Sequence, residues 1–353
     1  MSGLRTATLG VALAVAALTA AVGARAQPPT PAPAAPANTL AVMARFALPG
    51  QAVEVAPGRH INLVCVGQGS PTVILTMGAG GWSINWVKVA PAVARTTRVC
   101  SWDRPGNGYS DASPHPLDIA DNVTDLEAVL KGAGIDGPLV LVGASIGGLE
   151  SLLFADRHRD RVAGMVLVDP SSPDRQYNSG RVAPKLTAWS RVGDRRVYAP
   201  FDACIAALKA GPKDPPPEAC GSLRDGLPPG IQTALKPWTE DLAYWQTFRS
   251  ELDQRARNFR LAVNPKRNYG DMPLVVLSAG QFTLPGAPAE VTAEIPALMA
   301  EKERKHRALA QLSSRGAYVS VPESGHVMMQ DKPQAIVDAI GQVVDEVRKA
   351  AHP

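Results

Sequence analysis

No Cys-x-x-Cys pair occurs in the sequence, so the ligand spacing of common zinc sites is absent. No internal repeat, coiled-coil heptad or nucleic-acid-binding motif is present either. Charge of one sign is in short supply: 36 Lys and Arg oppose 32 Asp and Glu, for a formal net charge of +4. So small an excess argues against nucleic acid as the natural partner. Long apolar runs are missing as well. The apolar run from Leu9 to Ala20 is too short to span a membrane, and no later stretch is long enough. No metal and no cofactor is expected.

What is present begins with an export signal. Residues 1–26 carry a basic residue, Arg5, then that apolar run, then Ala24-Arg25-Ala26, a small-x-small cleavage site before Gln27. A secreted or periplasmic protein is expected, with no integral membrane span once the signal is removed. Loss of Arg5 and Arg25 with the signal takes the net charge from +4 to +2. Residues 27–51 contain "PPTPAPAAPAN" (28–38) and read as a Pro/Ala-rich tether. An oxidising compartment makes cysteine pairing expected. Cys204 and Cys220 flank a helix-like piece and a proline turn, where a disulfide would staple a short loop. Cys65 and Cys100 fall in two apolar strand candidates and either pair or stand as small buried core residues.

From residue 52 onward, short apolar runs alternate with helical patterns. "AVEVA" and "HINLVCVG" read as an opening antiparallel pair. "TVILTM", "RVCSWD", "LVLV", "VAGMVLVDP", "MPLVVLSAG" and "AYVSVPESGH" follow as strands with helices between them. This alternation predicts an α/β fold, a mostly parallel central sheet with helices on both faces. The core takes residues 52–170 and 271–353. Residues 171–270 show no strand pattern and read as a helical cap insertion. In "TEDLAYWQTFRSELDQRARNFRLA", Leu242, Trp245, Phe248, Leu252 and Phe259 can share one apolar stripe.

The chemistry centres on "PLVLVGASIGGLES". A buried strand, Leu139–Val142, stops at Gly143, and helical spacing resumes at Leu149. Gly-x-Ser-x-Gly between strand and helix is the nucleophile elbow, which lifts the Ser145 oxygen above the sheet edge. A serine hydroxyl is a weak nucleophile and needs a base, a group to orient that base, and donors for the oxyanion. His326 is the chosen base, because it follows the last strand and lies after the serine in the chain. His60 precedes the serine in an edge strand. His158 and His306 sit in charged helical stretches and are expected to be solvated. The oxyanion donors are expected to be the backbone N–H groups of Ile146, just after the serine, and of Ala79, in the loop "TMGAGGWS".

In chain order, "MGAGG", "SWDRPGNGYSD", "VGASIGGLES", "VLVDP" and "ESGHVMMQDKPQAIVDAI" resemble the α/β-hydrolase superfamily. The likeness is to its capped serine hydrolases, related to esterases, proline iminopeptidases and haloperoxidases. It covers residues 52–350, with the cap matching by position only. The resemblance implies Ser145 as nucleophile, His326 as base, and Ala79 and Ile146 as oxyanion donors. It reads Asp103 and Arg104 as structural, with Asp103 ordering a turn. Two departures alter the pocket wall: Met77 and Ala144 stand where the family often has His. A third concerns the acid. The family usually places it after the penultimate strand, where this chain has Gln281 and no carboxylate before Glu290. Some members take it from the end of the strand after the nucleophile helix, where Asp169 stands, so Asp169 is the expected acid, with Asp174 and Glu290 in reserve.

A serine rather than an aspartate at the elbow argues against haloalkane dehalogenase or epoxide hydrolase chemistry. The expected activity is a serine hydrolase cleaving carboxylic esters of a small-molecule substrate through an acyl-enzyme. Two alternatives remain. An exported aminopeptidase would need an acidic anchor for a free amine, for which Glu240, Asp241 and Glu251 are candidates. A catalytically idle ligand-binding homologue would show a failed triad.

Overall fold

Strand β5 (Leu139–Ala144) is apolar along its whole length because it is covered on both faces. Val140 and Val142 belong to the apolar layer on one side, and Leu139 and Leu141 to the layer on the other. The same logic gives β3 (Thr72–Thr76), β4 (Val99–Trp102), β6 (Val162–Val168) and β7 (Leu274–Ala279) their continuous apolar runs. The edges are less apolar. β1 (Gln51–Ala56) and β8 (Gly316–Val321) are half exposed, and β2 (Arg59–Val66) lies next to β1. The computed structural model describes residues 37–351, except 174, 212–219, 221–228, 230, 234–237 and 239. The expected signal segment and Asp174 therefore lie outside the described residues.

Among the described residues the eight strands form one sheet in the order β1-β2-β4-β3-β5-β6-β7-β8. β1 pairs antiparallel with β2, as does β2 with β4, and every pair from β4–β3 to β7–β8 is parallel. Cys65 and Cys100 face each other across β2 and β4 and are bridged, their Cα atoms 4.1 Å apart. The register resolves the alternative left open by the sequence, because those positions are direct partners on antiparallel neighbours.

Helices α1 (Ala37–Phe46), α2 (Ala90–Val93), α3 (Ile119–Gly132) and α4 (Ile146–Arg157) precede β6. α3 starts where Asp118 accepts the N–H groups of Ala120 and Asp121, and Asp121 returns a bond to the Asp118 N–H. Between β6 and β7 the described residues form helices and no strand: α5 (Arg175–Val182), α6 (Pro184–Lys209), α7 (Leu242–Asp253) and α8 (Arg255–Leu261). Cys204 on α6 is bridged to Cys220. Phe201 of α6 packs on Trp245 and Phe248 of α7. After β7 come α9 (Ala289–Thr292), α10 (Ile295–Ala310), α11 (Met328–Asp331) and α12 (Pro333–Ala351). α12 buries Ile336, Ile340, Val343 and Val344 at helical spacing.

Two expectations need correction. Residues 37–46 fall in the stretch read as tether, yet they form α1. Met43, Phe46 and Ala47 recur at i, i+3, i+4 and are buried in the core, and Tyr109 Oη donates to the Ala47 carbonyl at 2.8 Å. His306 is not solvated. α10 is charged on its outer face, but its inner face packs on β7, where the His306 ring is 1% exposed between Ser278 Oγ (2.8 Å) and the Pro170 carbonyl (2.9 Å). His158, by contrast, is partly exposed and paired with Glu127 at 2.8 Å.

Candidate active site

The turn from β5 into α4 is tight enough to require glycine on both sides of Ser145. A Cβ on Gly143 would stand 2.4 Å from the Gly147 carbonyl oxygen, and one on Gly147 would stand 2.6 Å from that of Thr76. Ser145 itself has φ 54° and ψ −119°, in a region an L-residue enters only under strain. Its backbone is over-determined from three sides. The Ser145 N–H donates to the Val168 carbonyl at 3.1 Å, and the Ser145 carbonyl accepts from Ser171 N (2.8 Å) and Gly148 N (3.1 Å). Among the described residues, Asp169 is the one other non-glycine residue with positive φ, at 38°. Strain of this kind collects at functional sites because neighbouring contacts must hold it.

His326 arrives from the opposite side. β8 ends at Val321, and the turn that follows is tied by a Gly325 N–H bond to Asp331 Oδ2 at 2.8 Å. His326 Nε2 lies 3.0 Å from Ser145 Oγ, and His326 Nδ1 lies 2.6 Å from Asp169 Oδ2. Asp169 stands immediately after β6, its N–H donating to the Leu277 carbonyl at 2.8 Å. Its second oxygen, Oδ1, accepts the Ala279 N–H (2.9 Å) and Lys302 Nζ (3.0 Å). Burial opposes ionisation of Asp169. The hydrogen bond from His326, the charge of Lys302 and the Ala279 N–H outweigh it and hold the carboxyl well below the usual carboxylate range. Glu290 is exposed on α9 and, among the described residues, forms no bond or ion pair with His326. Gln281 is exposed beyond β7.

The loop after β3 lies against the serine, with Gly78 so close that a Cβ there would stand 2.9 Å from Ser145 Cβ. Among the described residues, neither the Ala79 N–H nor the Ile146 N–H has a hydrogen-bond partner. Buried Arg104 donates to the Met77 carbonyl at 2.8 Å and to the Gly78 carbonyl. It also pairs with Glu251 of α7 (3.1 Å) and, more distantly, with Glu150 of α4 (3.5 Å). Burial pushes Glu150 up to about 7, against the pull of Arg104 and Asn122. Asp103 is fully buried and accepts from Ser83 N, Ser83 Oγ, Asn62 Nδ2 and Tyr109 N, which orders the loops on either side of it.

A cavity of about 240 Å³ is lined by Asp169, Gln281, Phe282, Lys302, His306 and His326 among others. A second cavity, of about 290 Å³, lies between the loop from Pro105 to Leu117 and α7 and touches none of Ser145, His326 or Asp169. Sequence reasoning missed Lys302, whose signal was obscured by the charged run "EKERKHR". The usable signal was the i, i+4 spacing of Lys302 and His306, which puts both on the inner face of α10. No group of three or more His, Cys, Asp or Glu side chains among the described residues is arranged to hold a metal ion. No helix among them is long and apolar enough to cross a membrane.

A family model described as "Alpha/beta hydrolase family" matches residues 63–339, and the chain belongs to that family. An uncharacterized protein of Schizosaccharomyces pombe is 39% identical over 103 residues, 29% of this chain and 19% of its own length. The 2-hydroxy-6-oxo-2,4-heptadienoate hydrolase of Pseudomonas putida is 37% identical over 120 residues, 32% of this chain and 42% of its own length. The chain thus spans less than half the length of either relative. Among solved structures, a thermophilic esterase from Thermogutta terrifontis superposes with a TM-score of 0.55 at 19% identity, covering 84% of this chain and 97% of that one. At that identity the likeness is one of fold.

Proposed function

We propose that this protein is a serine hydrolase that cleaves carboxylic esters of a small-molecule substrate through an acyl-enzyme on Ser145. The observation that carries the reading is the continuous relay from Ser145 Oγ to His326 (3.0 Å) and from His326 to Asp169 (2.6 Å). With Nδ1–H donated to Asp169, His326 Nε2 is left as the acceptor for the serine proton. Ser145 Oγ then attacks the ester carbonyl carbon as its proton passes to Nε2. The carbonyl oxygen takes up negative charge and is met by the Ala79 and Ile146 N–H groups. Collapse breaks the bond to the alkoxy oxygen, which leaves with the proton from His326. Water, deprotonated by the same nitrogen, attacks the acyl carbon; collapse breaks the bond to Ser145 Oγ, which takes the proton back from His326 as the carboxylic acid product departs. Asp169 stays ionised throughout and stabilises the imidazolium formed in each half-reaction.

Two of the three candidate anchors of the peptidase alternative are already engaged. Glu251 is already committed to Arg104, Asn107 Nδ2 and the Gly80 N–H, and Asp241 caps α7 by accepting from Ala243 N and Tyr244 N. Export is part of the proposal, supported by the two disulfides and by the N-terminal signal pattern. The test is hydrolysis of p-nitrophenyl acetate beside an amino-acid p-nitroanilide, with wild type and Ser145→Ala. Ester turnover that vanishes in Ser145→Ala, with no anilide turnover, is the expected result. Ester turnover that survives the substitution contradicts the proposal.

A further inference from the structure

Gly80, the residue after the proposed oxyanion donor Ala79, has both of its backbone polar groups taken by one helix of the insertion. Its N–H donates to Glu251 Oε2 at 2.6 Å, and its carbonyl accepts from Tyr244 Oη at 2.8 Å. Tyr244 and Glu251 stand at i and i+7 on α7, with Phe248 between them at i+4, so the three share one face of the helix. The Phe248 ring closes directly over Gly80, where a Cβ would fall 2.5 Å from it. Gly80 has φ +66°, a left-handed conformation that glycine adopts freely and that the contacts around it fix. Tyr244 is 1% exposed, so its hydroxyl has no water to fall back on.

We infer that Tyr244 and Glu251 are positioning residues for catalysis: through Gly80 they lock the loop that presents the Ala79 N–H to the developing oxyanion. The inference rests on the proposed esterase reading and adds α7 to the apparatus that performs it. The rest of the loop is anchored by the core. Arg104 holds the Met77 and Gly78 carbonyls, and its ion pair with Glu251 joins the two anchors. Asn107 Nδ2 adds a 2.8 Å bond to Glu251 Oε1 and so aims the other oxygen at Gly80. Donors set before the charge appears need no reorganisation during reaction, and a small misplacement sacrifices that advantage. The insertion therefore does more than wall the pocket. Where α7 sits decides whether Ala79 is aimed.

This role has no direct pointer in the sequence. Of the apolar stripe drawn through Leu242, Trp245 and Phe248, the two rings pack on Phe201 of α6 and Phe248 also closes over Gly80, whereas the hydrogen bonds to Gly80 come from Tyr244 and Glu251 beside it.

The test compares wild type with Tyr244→Phe, which removes one hydroxyl, and Glu251→Gln, which keeps an acceptor oxygen but loses the charge. Turnover of p-nitrophenyl acetate is expressed per site, counted by stoichiometric phosphonate labelling. Hydrogen exchange is followed in the peptide covering Gly78 to Trp82. The expected result for Tyr244→Phe is a kcat per site lower by about 10- to 100-fold with KM within about threefold. Exchange in that peptide should quicken, with a smaller change of the same kind in Glu251→Gln. Fewer labelled sites with unchanged kcat per site would mark a merely structural role and overturn the inference. Exchange unchanged in both variants would overturn it with the esterase reading intact. Faster exchange beside turnover that survives Ser145→Ala would instead overturn the esterase reading and leave the grip standing.

Discussion

Lys302 Nζ lies 3.0 Å from Asp169 Oδ1, on the carboxylate oxygen that His326 does not use. The same ammonium donates to the Ala279 carbonyl, so it is fixed over the end of β7 rather than free to swing into solvent. A cation there shares the negative charge of Asp169 with the imidazole. It keeps the carboxylate ionised.

Lys302→Met removes that cation and should therefore raise the folded pKa of Asp169. The acid limb of thermal stability, measured between about pH 3 and pH 7, should move upward in pH. Lys302→Arg keeps the charge and should leave the limb near its wild-type position. An unmoved limb in Lys302→Met would mean that the cation serves packing alone.

Asp169→Asn should keep the fold and cut turnover by orders of magnitude, up to about 10⁴-fold, because the amide favours the wrong imidazole tautomer. Glu290→Gln should do little. The two variants also differ in their melts. Asp169 has a folded pKa held below its unfolded value, so its stabilisation is fully present above the ordinary carboxylate range and is lost as pH falls through the folded value. The melting-temperature gap between wild type and Asp169→Asn should be widest above about pH 5 and close on acidification. A folded, active Asp169→Asn beside a dead Glu290→Gln would move the acid to α9.

The disulfides should separate by where they act. In the chain-entropy model, the bridge closing the 16-residue separation of Cys204 and Cys220 contributes about 3 kcal/mol, and the one closing the 35-residue separation of Cys65 and Cys100 about 4 kcal/mol. Serine pairs at either site should lower the urea midpoint. The Cys204/Cys220 pair should also depress turnover, because α6 carries the Phe201 contacts that seat α7. Mass spectrometry of the unreduced digest should show both linked peptides, and free thiols at either pair would contradict the pairing.

The features legible in the sequence were those written in one short stretch. The apolar run of β5, the glycines around Ser145 and the helical spacing after Leu149 all lie within the same fifteen or so residues, about one supersecondary unit. Asp169 could be singled out because it ends a strand run. What escaped depends on which elements meet in space. The pairing of Cys65 with Cys100 needs β2 beside β4, an antiparallel register that neither segment encodes alone. His306 looked solvated because arginines and glutamates surround it in sequence, although only one face of α10 is wet. Tyr244 and Glu251 carry no local mark of their partner, since Gly80 is more than 160 residues away. Helix α1 was obscured by the proline-rich composition just before it.

The central claim is that Ser145 is acylated, and covalent labelling tests it most directly. A serine-reactive alkyl phosphonate should add once per molecule, abolish ester turnover in step with labelling, and map by tandem mass spectrometry to Ser145 in the peptide containing "GASIGG". Label found on another residue, or full turnover remaining after Ser145 is modified, would contradict it.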